Sequence, residues 1–201
     1  MSDRPRLDSD ATASLLGYLY QIDVALATFL EERFTERDLA LSIEILDDIS
    51  FESDSGAVTL TQVKYKVNDS AVSLRDTSRD IWRTIELWLS EFKPGDGIKR
   101  VLLTNGEAFK RSAMSLLRVD GRDVDGALNL LDIAEAESTN KKTAAARAAW
   151  TGESKSDRFA LLSTITVVDN AGDFEALNQA IDNSLAWAAP SSAPVAFRKA
   201  F

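Results

Sequence analysis

Histidine and cysteine are both missing from this chain of 201 residues. Without histidine, the chain cannot form an HNH-type nuclease site, a Ser-His-Asp triad or a histidine-ligated metal site. Without cysteine, it cannot form a disulfide or a cysteine-ligated zinc site. Carboxylates, lysine and the backbone must therefore carry any chemistry.

Long hydrophobic runs are also missing. No stretch approaches the ~20 apolar residues of a membrane span, and the polar, acidic start lacks the pattern of a signal peptide. The chain has no glycine-rich phosphate loop of the Walker or Rossmann type. We therefore predict a cytoplasmic protein that does not enter a membrane.

The chain has fewer basic than acidic residues. The chain has 23 basic and 32 acidic residues, which gives a formal net charge of -9. A nucleic-acid-binding domain usually has a basic surface, so this balance argues against a protein that coats DNA passively. An enzyme that acts on DNA needs only a local basic groove, and we hypothesise that the acidic remainder holds off other DNA.

The segment 41–66 contains the most informative pattern. Its apolar residues recur at roughly alternate positions on both sides of residues 54–56, which predicts two strands joined by a tight turn. Gly56 suits the left-handed position at the end of a three-residue hairpin loop. With that loop, Asp48 lies opposite Gln62.

This register places four polar residues on one face of the sheet, because opposite residues share a side and each strand alternates sides. They are Glu44, Asp48, Gln62 and Lys64. Asp47 and Val63 point to the other side. A bulge would reverse the assignment, so Asp47 stays an alternative to Asp48.

These residue types match what phosphodiester hydrolysis needs. A hard cation such as Mg²⁺ binds the phosphate and activates water, and its protein ligands are oxygen atoms, usually from one or two carboxylates. Asp48 is the first candidate ligand. Gln62 offers an amide oxygen, and the carbonyl of Val63 is a third donor.

Lys64 and Glu44 fit supporting roles. Lys64 would lie beside the attacking water or stabilise the charge that develops on the phosphorane. Glu44 would bind the metal, orient the water or pair with Lys66. The alternative is that the charged hairpin is only a solvated sheet face, since short motifs carry false positives.

Asp48 followed by Gln62-Val63-Lys64 resembles the D…QxK variant of the PD-(D/E)xK nuclease motif. Further sequence motifs make the resemblance more specific: the chain resembles the nuclease domain of CD-NTase-associated effectors. These effectors cut DNA in bacterial cyclic-oligonucleotide (CBASS) anti-phage systems. Lamassu-type defence systems use a similar domain. The resemblance covers roughly residues 11–187. Its motifs are GYLYQ at 17–21, Glu44…Asp47-Asp48, QVKY at 62–65, Leu74…SRDIWRT at 78–84, and Trp88.

The resemblance implies a restriction-endonuclease-like fold and Mg²⁺- or Mn²⁺-dependent cleavage of double-stranded DNA. By position, it implies that Asp48, Gln62 and Lys64 are catalytic, with Glu44 and Gln21 beside them. A polar residue of the first helix that reaches toward the metal is common in this fold. The implied partners are double-stranded DNA and either further copies of the chain or subunits of a defence complex.

The rest of the pattern predicts an α/β fold with a mixed sheet flanked by helices. Helices are predicted at 11–33, 75–92, 107–117, 126–136, 139–150 and 174–187, and later strands at 98–104 and 163–169. We expect a flexible N-terminus at 1–10, the nuclease-like domain at 11–188 and a linker or tail at 189–201. Family members usually continue into a sensor or partner-binding domain, so the tail is expected either to lead to such a domain or to dock on a partner.

The helix predicted at 75–92 has an apolar side, which we assign to the core rather than to base stacking. Arg75, Arg79 and Arg83 recur every fourth residue on its other side and would grip phosphates beside the hairpin, with Lys66 as a further contact to the DNA backbone. The alternative is a solvated face, because acids interleave with these arginines. A second candidate group for DNA contact is Lys141, Lys142 and Arg147.

Two classes of function compete. The first is a metal-dependent endodeoxyribonuclease of bacterial anti-phage defence, which cleaves double-stranded DNA with little sequence specificity and is activated by a partner or sensor domain. The second is a non-cleaving, nuclease-like interaction module in a defence complex. Asp48, Gln62 and Lys64 are all present, and this favours the enzyme because a decayed site would usually have lost one of them.

Overall fold

A five-stranded sheet forms the centre of the protein. The structure is a computed structural model that describes residues 9–32, 39–43, 48–54, 56–65 and 74–188. The strands are β1 (Ala40–Ile43), β2 (Ile49–Ser53), β3 (Gly56–Lys64), β4 (Lys99–Thr104) and β5 (Ile165–Val168). They lie side by side in chain order.

The sheet is mixed. β1, β2 and β3 pair antiparallel, whereas β3, β4 and β5 pair parallel. Parallel neighbours need crossover connections, and helices provide both of them here. The predicted α/β class, with a mixed sheet flanked by helices, is confirmed.

Helices cover both faces of the sheet. Those of the described residues are α1 (Ser9–Glu32), α2 (Arg79–Glu91), α3 (Ala113–Leu116), α4 (Val124–Glu137), α5 (Ala144–Gly152), α6 (Lys155–Thr164) and α7 (Phe174–Ala188), with a 3₁₀ turn at Lys141–Thr143. Within this part of the chain, no helix combines the length and the apolar character that crossing a membrane requires.

The sheet separates two hydrophobic cores. The smaller core, between α1 and the sheet, contains Tyr20, Val24, Ala25, Ile49, Phe51 and Val63. The larger core lies on the opposite face, and its bulkiest side chains are Trp82, Trp88 and Trp150. Leu102 belongs to the larger core while Leu103 packs against the smaller one, as the alternation of a strand requires.

The segment predicted to be one strand before the turn forms two strands instead. β1 and β2 pair with Ile43 opposite Ile49, so the chain reverses direction between them. Acidic residues are poor strand formers, and Asp47 and Asp48 stand between the two apolar runs. The predicted placement of Glu44 on the same strand as Asp48 was therefore based on a wrong premise, and residues 44–47 lie outside the described residues.

The turn between β2 and β3 is one residue shorter than predicted, because Ser53 pairs with Gly56. Gly56 has a φ of +113°, a conformation that favours glycine. A bulge then adds one residue to β3. Phe51 consequently lies opposite Thr59, which is the register that the longer turn predicted.

Helix boundaries depart from the predicted ones mainly where capping decides them. α2 begins after Ser78, whose hydroxyl accepts a hydrogen bond from the N–H of Ile81 at 3.2 Å, so Arg75 lies outside the helix. α6 was not predicted, although Ser154 caps it by accepting from the N–H of Asp157 at 3.1 Å. A serine followed three residues later by an acid is a recognised start signal that could have revealed this helix.

Tyr20 connects α1 to the neighbouring elements. Its hydroxyl donates a hydrogen bond to the carbonyl of Gly172 at 2.8 Å, and its ring stacks on Tyr65 with centroids 4.5 Å apart. Burial raises the pKa of Tyr20 to about 12, and the nearby Tyr65 and Asp173 add to the shift. The neutral phenol is thus the form that the fold stabilises.

Replacing Tyr20 by phenylalanine should lower the free energy of unfolding by about 0.5–1.5 kcal/mol, because the hydrogen bond is lost. The folded pKa of about 12 lies above the ordinary tyrosine pKa of 10.0, so the contribution of Tyr20 is present below pH 10 and is lost as the pH rises through 12. Urea unfolding across this range should show a smaller alkaline loss in the variant than in the wild type.

The matched control is Tyr18→Phe, since the Tyr18 side chain is 47% exposed. This variant should keep the alkaline loss of the wild type. An identical alkaline loss in Tyr20→Phe and the wild type would show that Tyr20 does not titrate as described.

Candidate active site

Asp48 is held between the hairpin and α1. Its Oδ2 atom accepts a hydrogen bond from the backbone N–H of Val63 at 2.7 Å. The Nε2 atom of the buried Gln21 donates a hydrogen bond to the carbonyl of Asp48 at 2.5 Å. β3 therefore holds the carboxylate of Asp48, and α1 holds its backbone carbonyl, at the carboxyl end of β3.

Gln62 and Lys64 lie together on the α2 side of β3. The Nζ atom of Lys64 donates a hydrogen bond to Oε1 of Gln62 at 2.7 Å. The hydroxyl of Thr104, opposite Lys64 in the parallel ladder, donates to the carbonyl of Lys64 at 2.6 Å. Val63 points the other way into the smaller core, as the alternation of the strand predicted.

Two adjoining cavities open at this end of the sheet. The α1 cavity has a volume of about 290 Å³, and Gly17, Gln21, Val63 and Tyr65 lie on its walls. The α2 cavity has a volume of about 260 Å³ and includes Gln62, Arg83 and Leu87. Asp48, Lys64 and Asp80 line both cavities. The structure thus brings together Asp48, Gln62, Lys64 and Gln21 from the predicted set.

Asp80 and Arg83 of α2 are neighbours of the site, and of the two the sequence predicted only Arg83, as a phosphate contact beside the hairpin. Asp80 lies in the first turn of α2, where a carboxylate also interacts favourably with the helix dipole. The interleaved charges left two alternatives for this side of the helix, a row of arginines that binds phosphates or a solvated face that includes Asp80. A better signal was the order of elements: a helix that follows a strand of a parallel pair begins near the carboxyl end of that strand.

The predicted contacts to DNA have mixed outcomes. Arg75 precedes α2, and its guanidinium stacks on the ring of Phe109 at 4.2 Å, so it is not part of an arginine row on the helix. Arg79 is exposed and lines a third cavity of about 200 Å³, together with Arg83 and Lys142. Lys66, like Glu44 and Asp47, lies outside the described residues.

Arg147, from the second candidate group for DNA contact, has a structural role. Its Nη1 atom donates a hydrogen bond to the carbonyl of Glu135 at 2.9 Å, and the same atom lies 3.7 Å from the carboxylate of Glu135. These contacts tie the start of α5 to the end of α4. Of that group, Lys142 is the residue that lines the third cavity.

The donor atoms at the site are of the kind that a hard cation takes. Asp48 and Asp80, which carry carboxylates, and Gln62, which carries an amide oxygen, all line the α2 cavity. Among the described residues, no three His, Cys, Asp or Glu side chains form a metal-binding group, so an amide or backbone oxygen would have to complete the set. Lys64 already donates to the amide oxygen of Gln62, which would bind a cation by sharing its second lone pair or by releasing the ammonium.

No protein-family model matches this chain, and no curated protein matches its sequence. The family that the resemblance names therefore stays a prediction. Function has to be inferred from the side chains that the fold brings together.

Proposed function

We propose that this protein is a metal-dependent endodeoxyribonuclease with a restriction-endonuclease-like fold, acting as a cytoplasmic effector in bacterial anti-phage defence. The observation that carries the proposal is the convergence of Asp48, Gln62 and Lys64 at the carboxyl end of β3. Gln21 supports the backbone of Asp48 from α1. An acid, an amide and a lysine in one open cavity suit phosphodiester hydrolysis, and the resemblance supplies the type of fold and the biological setting.

The residues of the site have distinct roles in this proposal. Asp48 and Gln62, with Asp80 beside them, would hold Mg²⁺ or Mn²⁺, with the carbonyl of Val63 as a further predicted donor. When bound, the ion would supply a Lewis acid that polarises the phosphate and lowers the pKa of water. Lys64 places a positive charge where negative charge develops on the phosphate oxygens.

The contacts of Gln21 and Val63 add rigidity to the site. Gln21 fixes the carbonyl of Asp48, and the N–H of Val63 fixes one carboxylate oxygen. A side chain that is already held in place does not have to be ordered during the reaction, so less free energy is lost in reaching the transition state. The same contacts explain why a helix residue and a strand backbone both belong to the site.

A non-cleaving interaction module in a defence complex is the second candidate function. The observation in its favour is the hydrogen bond from Lys64 to Gln62, which places an ammonium on a predicted ligand atom. The net charge of -9 would suit a basic protein partner. In this case the site would be a structural polar cluster and would not respond to Mg²⁺.

Cleavage of supercoiled plasmid DNA separates the two functions. We expect nicked and linear products with Mg²⁺ or Mn²⁺ and none with EDTA. Activation by a partner or by clustering is part of the proposal, so the rate should rise steeply with protein concentration. Full activity of the isolated monomer would refute the regulatory part, and metal-independent products would point to contamination.

Replacing Asp80 by asparagine should raise the Mg²⁺ concentration needed for half-maximal cleavage by about 10- to 100-fold, as loss of an outer carboxylate of a metal site does. The matched control is Asp125→Asn, which removes an exposed first-turn carboxylate from α4 instead of α2. Titration calorimetry with Mg²⁺ should show the same weakening in Asp80→Asn alone. An unchanged Mg²⁺ dependence would remove Asp80 from the metal site.

A further inference from the structure

We infer that Arg79, Arg83 and Lys142 form a track that binds the phosphate backbone of DNA beside the candidate active site. That the bound polymer is DNA rests on the proposed function. The track differs from the row of arginines that the sequence predicted, because it leaves out Arg75 and takes in Lys142 from the 3₁₀ turn at Lys141–Thr143.

Arg83 connects the track to the site. It lines the α2 cavity together with Gln62 and Lys64, and it also lines the third cavity together with Arg79 and Lys142. A DNA strand whose reacting phosphate lies near Lys64 extends out of the α2 cavity on both sides, so its neighbouring phosphates lie against the residues around that cavity. Contacts to the flanking phosphates set the register of the strand, and arginine and lysine are the residues that usually make them.

Apart from the exposed Arg111, the other arginines of the described residues have structural partners. Arg100 pairs with Asp96 at 2.8 Å, and Arg158 pairs with Asp132 at 2.6 Å. The remaining structural contacts are those of Arg75 with Phe109, Arg118 with Asp169, Arg122 with four backbone carbonyls and Arg147 with Glu135. By contrast, Arg79 and Arg83 are exposed, and within the described parts of the chain neither forms an ion pair.

The geometry of α2 aligns the two arginines. Arg79 and Arg83 are four residues apart, so they project from one face with about 6 Å between them along the helix axis. The edge-to-face contact between Trp82 and Trp150, with centroids 6.3 Å apart, anchors α2 against α5. Because the 3₁₀ turn with Lys142 leads directly into α5, this packing also sets the position of Lys142.

The charge of the surroundings makes such a track necessary. The chain as a whole carries a net charge of -9, and the acidic residue Glu86 lines the third cavity with the three basic residues. DNA would be repelled by most of this surface, so binding has to come from a local group of cations. The track therefore predicts a binding affinity that depends on a few ionic contacts and falls steeply with salt.

The test measures binding of a fluorescent DNA duplex in EDTA, where cleavage does not interfere. In the variant Arg79→Ala/Arg83→Ala, we expect the affinity at ~0.1 M salt to fall by about 10- to 60-fold and the slope of log affinity against log salt to become shallower by about two. The control Lys93→Ala/Lys99→Ala removes two exposed charges, and Lys99 lies at the other end of the β3–β4 pair from Lys64. This control should bind as the wild type does.

Two further variants sharpen the result. Arg79→Lys/Arg83→Lys keeps the charges and should retain most of the salt dependence, which separates electrostatics from a folding defect. Lys142→Ala should make the slope shallower by about one. If Arg79→Ala/Arg83→Ala and the control Lys93→Ala/Lys99→Ala bind DNA equally well, the track is wrong. It is also wrong if the wild type does not bind DNA.

Failure of the track and failure of the nuclease proposal give different results. If the arginine double variant binds and cuts DNA as the wild type does while Asp48→Asn does not cut, the track is wrong and the proposed function stands. If the wild type binds through the arginines but never cuts with any metal, the track is correct and the nuclease proposal fails.

Discussion

Replacing Lys64 by methionine is expected to lower the rate of Mg²⁺-dependent DNA cleavage by about 10²- to 10⁴-fold. Lys64 lines both cavities of the site, and its ammonium is 2.7 Å from the amide oxygen of Gln62. Methionine keeps most of the length of the side chain and removes the charge. The measurement is the rate of plasmid nicking under single-turnover conditions with saturating Mg²⁺.

The control for this prediction is Lys99→Met, which changes an exposed lysine at the other end of the β3–β4 pair. It should cut DNA at the wild-type rate. Lys64→Met should retain most of its DNA binding in EDTA, because the charge acts on the transition state more than on the bound substrate. A Lys64→Met rate within a few-fold of the wild type would remove Lys64 from the chemistry.

Replacing Trp82 by alanine is expected to lower the free energy of unfolding by about 3–5 kcal/mol. The side chain of Trp82 is 0% exposed, and its indole N–H donates a hydrogen bond to the carbonyl of Asp76 at 2.7 Å. The substitution leaves a cavity beside Trp150 and leaves the partly buried carbonyl of Asp76 without this donor. Urea unfolding followed by circular dichroism measures the loss.

Val119→Ala is the control, because the Val119 side chain is 75% exposed and the substitution should change stability by no more than about 0.5 kcal/mol. The two candidate roles of Trp82 predict different outcomes. A core residue loses stability when truncated, whereas a base-stacking residue loses DNA affinity with little change in stability. Weakened DNA binding by a Trp82→Ala protein of wild-type stability would therefore contradict the assignment to the core.

The sequence predicted the elements whose pattern is local. The apolar stripe of α1, the alternation in β3 and the short apolar run of β4 follow directly from periodicity, and the structure confirms all three elements. The alternation also assigned Gln62 and Lys64 to one side of β3 and Val63 to the other. The side of β3 on which Gln62 and Lys64 lie could therefore be predicted from the sequence of that strand alone.

Features that depend on distant parts of the chain were harder to predict. Capping by Ser78 makes α2 begin at Arg79, which leaves Arg75 outside the helix, and local periodicity does not show that. The bulge in β3 and the shorter turn cancel each other in the register, so a correct pairing was obtained from an incorrect loop. Asp80 and Arg83 reach the site because α2 packs against the sheet, and that placement is a property of the tertiary structure.

The contact between Gln21 and Asp48 shows how a family resemblance can add to physical reasoning. Nothing in the helical pattern distinguishes Gln21 from a half-exposed polar residue, and only the resemblance singled it out. The structure places its amide on the carbonyl of Asp48 at 2.5 Å, where it supports the backbone of the predicted ligand. The predicted reach of Gln21 toward a metal stays a prediction.

The central claim is that the carboxylate of Asp48 is required for metal-dependent DNA cleavage. The most direct test compares Asp48→Asn with Asp54→Asn, since Asp54 is an exposed carboxylate at the turn of the same hairpin. Asparagine can still accept the hydrogen bond from the N–H of Val63, so the substitution removes the charge with little disturbance of the fold. We predict that Asp48→Asn loses plasmid cleavage in Mg²⁺ while Asp54→Asn cuts as the wild type does, whereas undiminished cutting by a folded Asp48→Asn protein would contradict the proposed site.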